Sequence, residues 1–263
     1  MLRDSVRRPL AFIVLLAGFA VAPAMSAATV SGVVSADFSG NTTFNLTNLG
    51  TLDWAYWNLE DNPASGAPTN SKSGATLIGS ATAIGGGGVR GSTTTTGAVP
   101  ESYFTFTDGS STGTGTAVMS TGIFNTQLVK AGAGVSILVD LPTVQTYTIY
   151  IWASAFSLSS STFTAALPGA KSFVSTAIID NTGSATKDTY LVTLTVTPDA
   201  AGDDLTISAA AGTSIGASSH ILISGLAVSS VAIPEPGTSV LLAGFMALGF
   251  AVTAVRRRRA NAG

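Results

Sequence analysis

The side chains that could support acid-base catalysis in this sequence are one histidine and scattered carboxylates. His220 is the single imidazole among 263 residues. As a general base it would need a serine nucleophile and an orienting aspartate beside it. It follows Ser218 and Ser219 at the start of a predicted strand, where a partly exposed histidine is ordinary. We therefore expect a structural histidine and a chain that is not an enzyme.

Two pairs of neighbouring carboxylates are the other candidates for acid-base chemistry. Glu60 and Asp61 are adjacent in sequence, and so are Asp203 and Asp204. In an extended chain adjacent side chains point to opposite faces, so neither pair has the geometry of a glycosidase acid and base. The turn at 199–204 leaves calcium binding as an alternative, but its spacing is not that of a calcium loop. We expect neither a metal nor another cofactor.

Three aromatic residues close together could contact a carbohydrate by stacking on sugar rings. They are Trp54, Tyr56 and Trp57. On a strand Trp54 and Tyr56 share one face and Trp57 takes the other, so one of the two sets could be exposed. Packing of all three in the core is the alternative, which we favour because buried aromatic rings contribute strongly to a core.

Short runs that alternate apolar and polar residues predict the strands that must position these side chains. The runs are 101–107, 134–141, 145–152, 162–167, 171–179, 190–197, 205–209 and 220–228. Turn residues separate them, and no helical periodicity lies between them. This pattern predicts an all-β, antiparallel β-sandwich at 29–230, with a jelly roll preferred and an immunoglobulin-like topology as the alternative. Residues 60–100, rich in Gly, Ser and Thr, are predicted to be a loop region.

The composition excludes several classes of protein. The sequence has no cysteine, which excludes disulfides, thiolate metal sites and a cysteine nucleophile. Residues 29–233 contain five Lys and Arg against twelve Asp and Glu, a net charge of −7. A segment this acidic and this poor in lysine is not expected to bind nucleic acid.

Residues 1–28 have the organisation of a secretory signal peptide. Three arginines precede an uncharged apolar run at 10–22, and Ser26-Ala27-Ala28 fits a signal-peptidase site that leaves Thr29 as the new N-terminus. A cut a few residues earlier is the alternative. Arg7-Arg8 also fits a twin-arginine signal. We favour the Sec translocon and signal peptidase as partners, because nothing in the chain indicates a cofactor loaded before export.

The C-terminal part has three features in order. Pro234-Glu235-Pro236 comes first, an uncharged run of 19 residues at 237–255 follows, and a basic cluster comes last. The members of that cluster are Arg256, Arg257, Arg258 and Arg259. As a helix the run is about 28 Å long, which is enough to cross a bilayer, and the arginines would hold its end in the cytoplasm. A transmembrane helix is therefore predicted, with the residues before Pro234 outside the cytoplasm.

The features at 231–259 resemble the PEP-CTERM sorting signal of Gram-negative bacteria that produce exopolysaccharide. The resemblance implies that an exosortase-type membrane transpeptidase cuts the chain near Pro234-Glu235-Pro236. It also implies a location first in the inner membrane and then at the cell surface or outside the cell. A plain membrane anchor, in which the prolines form a stiff stalk, is the alternative.

Residues 50–228 resemble ectodomains of other proteins that carry this tail. The segments that carry the resemblance are 52–57, the Phe-Thr-Asp-Gly turn at 106–109 and the closing strand at 221–228. It implies one β-sandwich domain and indicates no activity. We expect a structural or adhesive protein linked to exopolysaccharide. A carbohydrate-binding module is the first alternative, and a secreted polysaccharide hydrolase is a less favoured one.

Overall fold

The structure, a computed structural model, describes residues 27–37, 42–58, 65–91, 102–181 and 187–231. These residues form sixteen strands and one short helix, α1 (Leu46–Leu49). In chain order the strands are β1 (Thr29–Val34), β2 (Thr42–Asn45), β3 (Asp53–Tyr56), β4 (Asn70–Ser71), β5 (Thr82–Ile84), β6 (Val89–Gly91), β7 (Ser102–Phe106), β8 (Gly115–Ser120), β9 (Ile123–Asn125), β10 (Gly134–Leu141), β11 (Thr146–Phe156), β12 (Ser161–Ala166), β13 (Phe173–Ser175), β14 (Asp188–Thr197), β15 (Asp203–Ala211) and β16 (His220–Val231). The all-β prediction is confirmed.

The larger sheet has β16 near its centre. Its strands follow the order β1-β14-β11-β16-β3-β4, and β9 and β6 extend it beside β16. The pairs are antiparallel. The register of β16 shifts opposite Trp152 and Ala153. At this bulge Gly225 makes room for the ring of Phe104, because an added Cβ would lie 2.7 Å from Phe104 Cζ.

A second sheet packs against the first and encloses the main core with it. Its order is β13-β12-β15-β10-β5, again antiparallel. Nearly alternate residues of β10 and β15 are buried, as expected for strands with one face in a core. One hydrophobic cluster contains Ile137 and Ile207 of this sheet together with Ile149, Val192 and Ile223 of the larger sheet.

A three-stranded sheet lies against the other face of the larger sheet near β3. Its order is β2-β7-β8, with β2 parallel to β7. Phe104 and Phe106 of β7 form a second buried cluster with Trp54 and Tyr56 of β3, whereas Trp57 lies in the main core. The predicted division of faces between Trp54 with Tyr56 and Trp57 is therefore confirmed. β3 is buried on both faces.

The predicted strands agree with the structure where the alternation is long. The runs at 134–141 and 190–197 correspond to β10 and β14, and the run at 220–228 lies within β16. The strand predicted at 171–179 is wrong beyond β13, because only three residues pair with β12. The described part of the predicted loop at 60–100 contains β4, β5 and β6, which form because they pair with β3, β10 and β9.

Candidate functional site

A group of hydrogen bonds around Asp108 joins the larger sheet to the three-stranded sheet. Trp54 Nε1 and Thr47 Oγ1 donate to Asp108 Oδ1, at 2.9 Å and 2.7 Å. Lys72 Nζ donates to Asp108 Oδ2 at 2.5 Å, where the two side chains form a salt bridge. We call Thr47, Trp54, Lys72 and Asp108 the Asp108 junction.

The charge of Asp108 is stabilised by these donors. Partial burial raises the pKa of Asp108, but the hydrogen bonds from Lys72, Thr47 and Trp54 outweigh it and hold the pKa below its ordinary value. Asp108 is therefore a carboxylate at neutral pH. The junction connects the sequence segments 52–57 and 106–109 directly, a contact that neither segment predicts alone.

Asp53, next to Trp54, is a buried carboxylate that fixes a neighbouring segment. It is 1% exposed. Its Oδ1 accepts a hydrogen bond from the backbone N of Trp54 at 2.7 Å, and its Oδ2 accepts one from the backbone N of Ile78 at 2.9 Å. Burial raises the pKa of Asp53, while backbone hydrogen bonds and the charge of Lys72 oppose the rise. Oδ2 therefore holds the segment at Ile78 against β3, while Oδ1 bonds within β3 itself.

The three aromatic residues considered for carbohydrate contact are all buried. Trp54 and Trp57 are 0% exposed, and Tyr56 is 4% exposed. Trp57 Nε1 donates to the backbone O of Gly66 at 2.9 Å, and Trp54 Nε1 donates to Asp108. A ring without an exposed face cannot stack on a sugar. In this structure the three residues belong to the core, the alternative that the sequence favoured, and they do not form a carbohydrate contact.

His220, at the start of β16, lies beside aromatic rings. Its ring centroid is 4.4 Å from that of Phe124 and 5.3 Å from that of Phe156. Its Nδ1 is 2.6 Å from the backbone O of Ser218, and because a carbonyl oxygen only accepts, Nδ1 carries the proton. Burial lowers the pKa of His220 to about 4, so the imidazole is neutral at pH 7. Nδ1 thus bonds to a backbone carbonyl, where a catalytic triad requires an aspartate.

The loop between β15 and β16 also contains a Gly-x-Ser-x-Gly segment, at 212–216, with Ser214 at its centre. In α/β hydrolases this segment forms the turn from a strand into a helix, whereas here it connects two strands. Ser214 Oγ and His220 Nε2 are both buried, and neither has a hydrogen-bond partner among the described residues. The two side chains therefore do not form the hydrogen-bonded Ser-His pair of a hydrolase.

The carboxylate pairs do not form an acid-base site in the described part of the chain. Asp203 Oδ2 accepts a hydrogen bond from the backbone N of Ala200 at 3.2 Å, and Asp204 is exposed. Among the residues that the structure describes, no three His, Cys, Asp or Glu side chains are placed to hold a metal ion. The calcium alternative at 199–204 has no support from this geometry. Glu60 and Asp61 lie outside the described residues.

Three aspartates that the sequence did not connect lie near one another where β1 ends and β14 begins. Burial, followed by the charges of Asp37 and Asp180, raises the pKa of Asp188 to about 6. Asp37 Oδ1 accepts a hydrogen bond from the backbone N of Thr189 at 3.0 Å, and Asp180 Oδ2 accepts one from the backbone N of Ser157 at 2.6 Å. Only the pairing of β1 with β14 brings Asp37 to the other two, so no sequence pattern could have identified the group.

The predicted sorting features lie outside the described residues. These are Pro234-Glu235-Pro236, the run at 237–255 and the arginine cluster, and most of the predicted signal peptide lies outside as well. Within the described ranges, no helix has the length and apolar character needed to cross a membrane. β16 ends at Val231, three residues before Pro234.

Comparisons with protein-family models, with curated proteins and with solved structures found no match for this chain. Within the domain, Asp53, Asp108, Asp180 and His220 each form a hydrogen bond with another group of the domain itself. Such side chains hold strands and loops together.

Proposed function

We propose that this chain is an exported bacterial protein of the cell surface or extracellular matrix, sorted and cleaved through a PEP-CTERM/exosortase-type system. The observation that carries the proposal is the order of Pro234-Glu235-Pro236, the 19-residue uncharged run and the arginine cluster at 256–259. The prolines restrict φ and favour an extended backbone at Glu235, a conformation that a peptide-cutting enzyme can bind. The partners are the Sec translocon, signal peptidase and an exosortase-type transpeptidase.

The exported domain has, in this proposal, a structural or adhesive role linked to exopolysaccharide and no enzymatic activity. Support comes from the use of its carboxylates: Asp53 and Asp108 accept hydrogen bonds that join segments of the fold. The proton on His220 Nδ1 is likewise donated to a backbone carbonyl. A domain with hydroxyl-rich surfaces suits a matrix component.

We further infer that the domain is a jelly-roll β-sandwich. Eight strands form it in chain order: β3, β10, β11, β12, β13, β14, β15 and β16. If these eight strands are renumbered 1 to 8 in chain order, the neighbouring strands of the larger sheet, β3-β16-β11-β14, become 1-8-3-6. Those of the second sheet, β10-β15-β12-β13, become 2-7-4-5. Most successive strands therefore cross between the sheets, which is the connection pattern of a jelly roll. An immunoglobulin-like domain has a different strand order, so the observed order supports the preferred alternative.

Fractionation of cells of the native host tests the sorting proposal. The wild-type protein is expected outside the inner membrane, and a variant with Pro234, Glu235 and Pro236 replaced by Ala is expected to stay in the inner-membrane fraction. Pro198→Ala, in the turn after β14, is a control that should behave as wild type. Wild-type protein held in the inner membrane would contradict the proposal and indicate a plain anchor.

The role of the domain needs separate measurements. Purified residues 29–233 are expected to leave a panel of polysaccharides unchanged, and cells that lack the protein are expected to retain less exopolysaccharide. Turnover of any glycan would support the hydrolase alternative. Unchanged retention of exopolysaccharide would contradict the structural role.

A further inference from the structure

Both ends of the described domain lie at one end of the larger sheet. Thr29, the first residue of β1, pairs with Thr197, the last residue of β14. Val231, the last residue of β16, pairs with Thr146, the first residue of β11. Thr146 Oγ1 and Thr197 Oγ1 are 2.9 Å apart, which places all four residues in one row across the sheet. We call this row the terminal rim.

The opposite end of the same strands forms a second rim about 33 Å away, since β11 has 11 residues and a strand rises about 3.3 Å per residue. Ala155 pairs with Asp188 there, and Phe156 pairs with His220. The group Asp37, Asp180 and Asp188 lies at this end. We call it the distal rim.

The chain between the terminal rim and the predicted transmembrane helix is short. Gly237, where the uncharged run begins, is six residues after Val231, and six residues span at most about 21 Å. The two prolines in between disfavour a helix in this short segment. The tail therefore confines Val231, at the terminal rim, to within about 21 Å of the membrane surface.

Carboxylates at the terminal rim disfavour its adhesion to lipid. Four residues connect Leu141 of β10 to Thr146, so the end of β10 lies at the terminal rim as well. Asp140 pairs there with Asp204, and Leu141 pairs with Asp203. An anionic membrane would repel these carboxylates, so the domain would be held near the membrane by its chain and kept off the lipid by its charge.

From this geometry we propose that, while the tail is in the membrane, the terminal rim faces the bilayer and the distal rim is the surface presented to the outside. Exopolysaccharide or other matrix components would then meet the distal rim first. The inference rests on the proposed function, because it requires the run at 237–255 to be inserted.

The absence of cysteine allows a direct test with single labelling sites. Val144 lies in the loop at the terminal rim and is 51% exposed, and Ile215 lies in the loop at the distal rim and is 44% exposed. Val144→Cys and Ile215→Cys are made in the full chain with Pro234, Glu235 and Pro236 unchanged, because the vesicles contain no exosortase that could cut the tail. Each variant carries a donor dye and is inserted into phosphatidylcholine vesicles with acceptor dyes on the headgroups. Unchanged thermal unfolding shows that the variants keep the fold.

The proposal predicts a several-fold faster energy transfer from the dye at Val144→Cys than from the dye at Ile215→Cys. Equal transfer from both sites would mean that the domain lies flat, and faster transfer from Ile215→Cys would mean that it is inverted. Either result overturns the proposed orientation while leaving the anchor intact. Protein that does not float with the vesicles would instead overturn the anchor itself, and the orientation with it.

Discussion

Replacement of Asp108 by alanine should destabilise the domain strongly, because it removes the acceptor shared by the Asp108 junction. Trp54 is 0% exposed, so its Nε1 would lose its partner in a buried site, at a cost of about 1–3 kcal/mol. The salt bridge with Lys72 joins side chains that are 20% and 28% exposed, and its loss adds up to about 1 kcal/mol. The expected decrease in the free energy of unfolding is about 1–4 kcal/mol.

Urea unfolding of residues 27–233, followed by tryptophan fluorescence, measures this decrease. Asp140→Ala is the matched control, because Asp140 is exposed on β10 and its loss should change the stability by less than about 0.5 kcal/mol. Asp108→Asn should fall between the two, since the amide keeps an acceptor oxygen for Trp54 and loses the charge opposite Lys72. If Asp108→Ala were no less stable than Asp140→Ala, the junction would not hold the two sheets together.

Three further substitutions test other parts of the structure. Asp188→Asn should become more stable than wild type as the pH rises from about 4 to 6, and the difference should persist at higher pH. The reason is that the pKa of Asp188 is raised to about 6, so its ionisation destabilises the folded wild-type protein. The same dependence of Tm on pH in both proteins would contradict this. His220→Gln should lose less stability than wild type as the pH falls from about 6.5 to 4. In the wild type the folded state keeps the imidazole neutral down to a pKa of about 4, whereas the unfolded chain is protonated at higher pH. The same loss of stability in acid for both proteins would contradict the burial of the ring. Gly225→Ala should lower the free energy of unfolding by about 1–3 kcal/mol, because its Cβ would lie 2.7 Å from Phe104 Cζ. Gly113→Ala is the control: no atom lies within 4 Å of the new Cβ, so urea unfolding should show a stability close to that of wild type.

The sequence predicts the strands best where burial on one face enforces a period of two. β10 is an example, because Val135, Ile137, Val139 and Leu141 all face the core and the alternation continues over the whole strand. β1 was not predicted: it is an edge strand whose Gly32 interrupts the pattern, and it forms by pairing with β14. Short strands such as β5 and β6 lie in a Gly-rich segment that looks like a loop until its partners are known.

The side chains of the candidate site could be found from the sequence, but their contacts could not. Trp54 and Asp108 both lie in segments with a recognisable pattern, yet 54 positions separate them, and only the packing of the three-stranded sheet on β3 joins them. The same packing buries Trp54 and Tyr56 on the face that a simple two-layer sandwich would leave exposed. When another sheet packs on the second face, the alternation of apolar and polar residues along the strand does not reveal it.

The intact mass of the mature protein from its native host tests the central claim most directly. The account predicts a chain that begins near Thr29, the first residue of β1, and ends near Pro234-Glu235-Pro236, a few residues after β16. A chain cut there would retain every strand of the described domain and lack the arginine cluster. A mass that still includes residues 237–259 in the wild-type protein would contradict sorting by cleavage, and would make this a permanently anchored protein.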